Sequence, residues 1–213
     1  MSCRDVLLYY QLFSDDDPNR LNLTLVAIGD AMPLTVNDLE KMQSQLPDYR
    51  MELVDGEIVV MSPSGYESDE VATRMSAKLF NWVDERRLGR VTGSSAGFSL
   101  PNSDTRAPDV SFVFAERLRR SPRSFAEIAP DLMVEVKSPT DSLTKLREKI
   151  ADFLSQGTRV GILINPEQQW IEIHRPEQDV ITLRDGDVLT VPDLLPGWEV
   201  NVSDLWSPVF DEE

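Results

Sequence analysis

The sequence predicts one domain of the α/β class with helices and strands mixed (α+β): a mixed β-sheet core flanked by helices, with extra β-hairpins. Three observations point there. Apolar residues recur at helical spacing in well-separated stretches, short alternating runs bounded by Asp-Gly, Pro and Gly lie between them, and no regular βαβ repeat appears. The 213 residues, 41% hydrophobic and 27% charged, have an ordinary globular balance and suffice for a core without covalent staples.

Residues 1–32 carry an apolar stretch, Val6-Leu7-Leu8-Tyr9-Tyr10, interrupted by Asp15-Asp16-Asp17-Pro18, and read as an appended arm. The domain proper is expected over 33–206, with 207–213 an acidic tail. Thr35 is placed to cap a helix reaching about Gln45, with Asp38 in its first turn and Pro47 ending it. Arg50–Val54 and Glu57–Met61 alternate around Asp55-Gly56, a pair that tolerates positive φ and signals a hairpin. After the Ser62-Pro63-Ser64-Gly65 break, Val71, Met75, Leu79 and Trp82-Val83 predict an amphipathic helix over 67–88, stopped by Gly89. Arg90–Leu100 reads as one strand, Pro101–Asp104 as a turn, and Ala107–Phe114 as a strand starting at Pro108. A polar connection over 115–129 leads to a strand at Leu132–Lys137 and the loop Ser138-Pro139-Thr140-Asp141. Leu146, Ile150, Phe153 and Leu154 place a helix at 142–156, closed by Gly157. Arg159–Asn165 and Trp170–His174 are strands flanking Pro166-Glu167. Val180–Leu183 and Val188–Val191 read as a last hairpin around Asp185-Gly186.

Charge narrows the function classes. Thirty-seven acidic against 21 basic residues leave a net charge of −16, which argues against coating nucleic acid through bulk electrostatics. One cysteine, Cys3, excludes an intramolecular disulfide and fits a reducing compartment. One histidine, His174, cannot join it in a zinc site. With no apolar run near the ~20 residues of a membrane span and no signal pattern, a soluble cytoplasmic protein without a membrane partner is expected. Neither a glycine-rich phosphate fingerprint nor a G-x-S-x-G elbow occurs.

The stretch able to carry chemistry is Pro108-Asp109 and, 26 positions after the aspartate, Glu135-Val136-Lys137. On a strand, Leu132, Val134 and Val136 share one face and Met133, Glu135 and Lys137 the other. Burying either charge alone costs roughly several kcal/mol, so each needs a partner charge or a cation. If the strands of Asp109 and Glu135 are adjacent, the two carboxylates can converge on one hard cation whose other positions go to water and phosphate. That donor set describes magnesium or manganese. Lys137 would then orient the attacking water and offset phosphate charge. A solvated strand-end carboxylate and a structural Glu–Lys pair remain the bland alternative on the motif alone.

This string resembles the active-site signature of the PD-(D/E)xK nucleases, and residues 33–206 resemble the Uma-two family of endonucleases, with a restriction-endonuclease-like fold. The matching pieces are Met51-Glu52-Leu53-Val54-Asp55-Gly56-Glu57-Ile58, Ser62-Pro63-Ser64-Gly65, Arg106-Ala107-Pro108-Asp109-Val110 and Val134-Glu135-Val136-Lys137-Ser138. Lys149, Gly157-Thr158-Arg159, Ile164-Asn165-Pro166 and Leu195-Pro196-Gly197-Trp198-Glu199-Val200 follow in order. The resemblance implies a divalent-metal-dependent endonuclease hydrolysing nucleic-acid phosphodiester bonds, DNA before RNA. It implies Mg2+ or Mn2+ held by Asp109, Glu135 and the backbone carbonyl of Val136, with Lys137 as the catalytic lysine. Glu52, in the first hairpin, would complete the pocket. Nucleic acid is the implied partner, and a second copy of the chain stays open. Two departures stand out: many relatives carry a histidine after the Ser-Pro-Ser-Gly turn, where this chain has Glu67-Ser68-Asp69, and Phe153 replaces a frequent tyrosine.

Other residues have two readings. Glu70 either reaches the site from the long helix or belongs to its polar face. Lys149 either touches substrate or, as preferred, pairs with Asp141. Residues 72–123 hold ten basic and five acidic side chains, so Arg117, Arg119, Arg120 and Arg123 could form a phosphate-contacting loop. A solvated loop balancing an acidic surface or a partner subunit is the alternative. His174 is read as structural and the four tryptophans as core. The competing function class is a non-catalytic interaction protein that keeps the fold and binds a protein partner through its acidic surface.

Overall fold

A computed structural model describes residues 32–210 and the backbone of 24–25. Most of the expected N-terminal arm and the last three residues of the tail lie outside the described residues.

Turn chemistry and capping organise the first part. A short strand β1 (Thr24–Leu25) precedes helix α1 (Val36–Gln45), where the Asp38 carboxylate accepts hydrogen bonds from the Thr35 N–H at 3.0 Å and its hydroxyl at 2.7 Å. Asp55 and Gly56, with φ of +50° and +77°, turn β2 (Arg50–Val54) into β3 (Glu57–Met61) as an antiparallel hairpin. Met51, Leu53 and Ile58 are buried together with Leu39 of α1. Strand alternation therefore turns Glu52 to the opposite face.

Helix α2 (Tyr66–Glu85) buries Val71, Met75, Leu79 and Val83, as its period predicts. It ends at Arg86-Arg87, with Arg87 at φ +51°, and not at Gly89. Gly89 instead begins β4 (Gly89–Gly93), where a Cβ would stand 2.1 Å from the Val113 carbonyl oxygen. The glycine is needed for close strand approach rather than as a helix stop.

The single strand expected over Arg90–Leu100 is two. After β4, the Ser94-Ser95-Ala96-Gly97 segment carries the chain to β5 (Phe98–Ser99), in a different sheet. The strand expected from Ala107 is likewise divided into β6 (Thr105–Arg106) and β7 (Val110–Phe114), with Pro108 and Asp109 between them. Then follow β8 (Leu132–Val136), α3 (Leu143–Ser155), β9 (Val160–Asn165), β10 (Trp170–His174), β11 (Ile181–Arg184), β12 (Val188–Thr190), β13 (Glu199–Asn201) and a 3-10 turn at Val202–Leu205. The expected 180–191 hairpin does not form: β11 pairs with β10, and β12 with β13. Gly186, at φ +91°, still turns the chain, but between sheets.

The fold is a mixed α+β one. Its central sheet has the order β11-β10-β9-β8-β7-β4, with β8 and β9 parallel and the other pairs antiparallel. Leu132, Val134 and Val136 pack with α2 and with the C-terminal Trp198 and Leu205 in one core. Met133 and Leu163, on the other face, pack with Ile150 and Phe153 of α3. The second sheet, β1-β3-β2-β6-β5, brings Glu52 toward the open end of β7 and β8. No helix among the described residues is long and apolar enough to cross a membrane.

Candidate active site

The antiparallel register of β7 and β8 pairs Val110 with Val134. One residue before β7, Asp109 lies beside the end of β8, close enough for its charge and that of Glu135 to act on each other. Asp109 Oδ2 accepts the Val136 N–H at 2.8 Å, which fixes the carboxylate against the β8 backbone. The Val136 side chain itself lies in the α2-side core.

Glu135 shares a face with Met133, so it points to α3, and α3 answers with Lys149. The ammonium lies 3.0 Å from Glu135 Oε1 and 3.2 Å from Oε2, 3.4 Å from Glu52 Oε1, and 2.9 Å from the Ala107 carbonyl oxygen. All three charged side chains are buried, at 8% exposure or less. The expected pairing of Lys149 with Asp141 does not occur. Asp141 instead accepts the Ser138 N–H at 2.9 Å and tightens the loop after β8. Lys149 reaches from α3 to both sheets, to Glu52 on one and Glu135 on the other.

Glu52 is saturated with donors. Its Oε1 takes the Ala107 N–H at 2.9 Å and its Oε2 the Arg106 Nε at 3.4 Å, in addition to Lys149. Arg106 also reaches Asp152 of α3 at 3.0 Å. In the sequence Arg106 stands out only as part of the matching string and as one of the ten basic residues of 72–123. Its role could have been sought in the need of two buried carboxylates for a second cation.

The electrostatics follow from three carboxyls sharing limited positive charge. Burial pushes Glu135 up to about 8; Lys149 opposes this, and the neighbouring Asp109 and Glu52 charges add to it. Burial also raises Asp109, against the Val136 N–H and Lys149. Burial acts on Glu52 in the same sense, but Lys149, Arg106 and the Ala107 N–H overcome it and hold that group below the ordinary carboxylate value. Lys149 stays above the ordinary amine value because Glu135 and Glu52 outweigh its burial. Although Lys149 is close, Glu135 Oε1 is buried without a hydrogen bond of acceptable geometry.

Lys137 lies at the end of β8, donating to the Ser138 carbonyl at 3.1 Å and to Glu167 at 3.4 Å. Its ion-pair partner is therefore Glu167, not Glu135. Glu70 is held by Arg74 at 2.7 Å and by the Ser207 hydroxyl at 2.9 Å, partners outside the cluster. Arg117 binds the buried Asp131 at 2.8 Å and the Ala129 carbonyl at 3.1 Å, anchoring the loop it belongs to. Arg119, Arg120 and Arg123 are exposed on that loop. His174 contacts Glu172 at 3.0 Å, and Glu172 also binds Arg147 of α3, so both belong to a network between β10 and α3.

Among the described residues, no group of three or more His, Cys, Asp or Glu side chains is arranged to hold a metal ion. A cation at this site would therefore draw on a pair of carboxylates, and Asp109 and Glu135, whose charges act on each other, are that pair. Three buried or half-buried carboxylates against two cations, Lys149 and Arg106, leave a shortage of positive charge that fits such an ion; the saturated Glu52 does not.

Comparison with solved structures supports the fold. A crystal structure described as a "putative nuclease belonging to DUF820" from Anabaena variabilis superposes with a TM-score of 0.71 at 23% identity, covering 82% of this chain and 98% of that one. A DrdV–DNA complex aligns with a TM-score of only 0.33 at 11% identity, over 56% of this chain and 12% of that one, too distant to bear on the argument. No curated protein matches. Residues 36–203 match the family model Uma2, described as "putative restriction endonuclease", and the chain belongs to that family.

Proposed function

We propose that the protein is a divalent-metal-dependent endonuclease that hydrolyses nucleic-acid phosphodiester bonds, acting on DNA in preference to RNA. The observation that carries the reading is Asp109, just before β7, fixed by the Val136 N–H beside the buried Glu135, with Lys137 following Val136 at the end of β8.

Asp109 and Glu135 would hold the cation. Two carboxylates with the remaining positions left open are the set that magnesium or manganese accepts. When bound, the ion supplies Lewis-acid stabilisation of phosphate charge and lowers the pKa of water. The rest falls to the chain. The Val136 N–H orients Asp109. Lys149, anchored by Glu52 and the Ala107 carbonyl, orients Glu135. Lys137, 13% exposed at the strand end, is placed to bind a phosphate oxygen and the attacking water once it leaves Glu167, a partner on an exposed side chain. In-line attack on phosphorus requires only such positioning and charge neutralisation.

The net charge of −16 favours a second reading, a non-catalytic protein that binds a protein partner. Magnesium-dependent plasmid nicking separates the two. The endonuclease reading predicts nicking by the wild type and its loss in Lys137→Ala; a wild type that never nicks in magnesium or manganese supports the binding protein.

A further inference from the structure

The groove leading away from Asp109 has no part in the chemistry above. Along α2, Asp69, Thr73, Ser76 and Phe80 recur at helical spacing on a stripe rotated away from the core positions Val71, Met75, Leu79 and Val83. This stripe walls a cavity of about 380 Å³, closed opposite by Gly93 and Ser94 and reaching Asp109 at its inner end. Phe80, 48% exposed, also lines a second cavity of about 730 Å³ that contains Arg90 and Arg123. A track therefore runs from Asp109 past an aromatic face to a basic loop.

We infer that this groove is a subsite for unpaired nucleotides next to the scissile phosphate, with a base stacked on Phe80. The inference rests on the phosphodiesterase reading for its substrate. A cleft of this size between one helix and an edge strand suits single nucleotides, and an aromatic face is available only to a base removed from its stack. The Thr73 and Ser76 hydroxyls and the Asn81 amide supply donors and acceptors for a base edge. Asp69 disfavours phosphate inside the cavity, leaving the backbone to run along the mouth toward Arg123.

Three substitutions at two positions test this without touching the carboxylate cluster. Phe80→Ala removes the platform, and Phe80→Trp restores it. Gly93→Leu fills the cleft: Gly93 is outside the positive-φ region, and a Cβ there meets no atom within 4 Å, so the variant should fold. Binding of labelled single-stranded DNA, single-stranded RNA and blunt duplex DNA is measured by anisotropy in calcium, with melting temperatures as the folding control. The subsite predicts tighter binding of a single strand than of duplex, and the DNA and RNA arms identify which sugar it takes. Phe80→Ala should weaken that binding about ten- to a hundredfold, the range of base–aromatic stacking. Gly93→Leu should weaken it comparably, and Phe80→Trp should bind like wild type. Unchanged binding in both Phe80→Ala and Gly93→Leu, or no binding of any single strand, overturns the subsite. Plasmid nicking by the wild type that is intact in Phe80→Ala would remove the subsite and leave the endonuclease reading standing. Phe80-dependent binding without nicking would keep the subsite and remove catalysis.

Discussion

Replacing Lys149 by Met removes the ammonium around which the buried cluster is built. Lys149, Glu52 and Glu135 are each exposed by 8% or less, so their mutual screening by water is slight. Glu52 keeps Arg106 and the Ala107 N–H in the variant, whereas Glu135 loses its only cation. Removing one partner of a buried pair costs about 3–5 kcal/mol. For a chain of this length each kcal/mol shifts the melting temperature by roughly 2–4 °C, giving an expected drop of about 6–20 °C. The assay is thermal and urea unfolding in EDTA at two pH values. Lys149 lowers Glu135 to about 8 from a still higher value, so the loss should be larger at pH 9, where the wild-type carboxylate is ionised against Lys149, than at pH 6, where Glu135 carries a proton in both proteins. Adding Glu135→Gln to Lys149→Met should recover part of the loss, since no unpaired charge is then left at that position. A Lys149→Met variant within about 0.5 kcal/mol of wild type, or strict additivity in the double variant, would refute the cluster as a coupled unit.

Other outcomes follow from the same geometry. Lys137→Ala should lose cleavage by orders of magnitude while calorimetry still shows magnesium binding, and turnover at the wild-type rate would remove Lys137 from the mechanism. Magnesium at ~100 times its dissociation constant should stabilise the wild type by roughly 2.7 kcal/mol, a response that Asp109→Asn should lack while unfolding in EDTA no more easily than wild type. The raised Glu135 also gives stability a pH dependence: its folded value near 8 exceeds the ordinary 4.5, so its contribution is complete below about 4.5 and is lost as pH rises to about 8. In EDTA the stability difference between wild type and Glu135→Gln should therefore shift against the wild type across that window, and a flat difference would contradict the assignment. Charge reversal at Arg119 and Arg120 together should weaken nucleic-acid binding and flatten its salt dependence, leaving magnesium affinity unchanged. Wild-type DNA affinity in that double variant would make the loop mere surface.

What was legible in the sequence was local. Asp55-Gly56 announces its hairpin through residues that tolerate positive φ, Thr35 and Asp38 announce the start of α1, and the alternation of 132–136 assigns Val134 and Glu135 to opposite faces. These signals depend on neighbours a few residues apart. Partner choice between distant elements left no such mark. Nothing near Asp185-Gly186 reveals that β11 continues onto β10 while β12 joins a later strand, because both arrangements satisfy the same alternation. The Arg90–Leu100 run similarly hides a crossing between sheets at Ser94–Gly97. At the candidate site, Asp109 and Glu135 are readable as a spacing, but sequence proximity points Lys149 to Asp141, whereas the fold points it to Glu52 and Glu135. Glu52, Glu135 and Lys149 lie 97 and 14 positions apart from one another across the cluster, and only the packing of α3 against both sheets brings them together.

The most direct test of the account is where a heavy divalent ion goes. Crystals soaked in manganese should give one anomalous peak between Asp109 and Glu135, present in the Lys137→Ala variant and absent in Glu135→Gln. A peak elsewhere in the molecule, or no peak in wild-type crystals, would contradict the claim that these two carboxylates form a cation site.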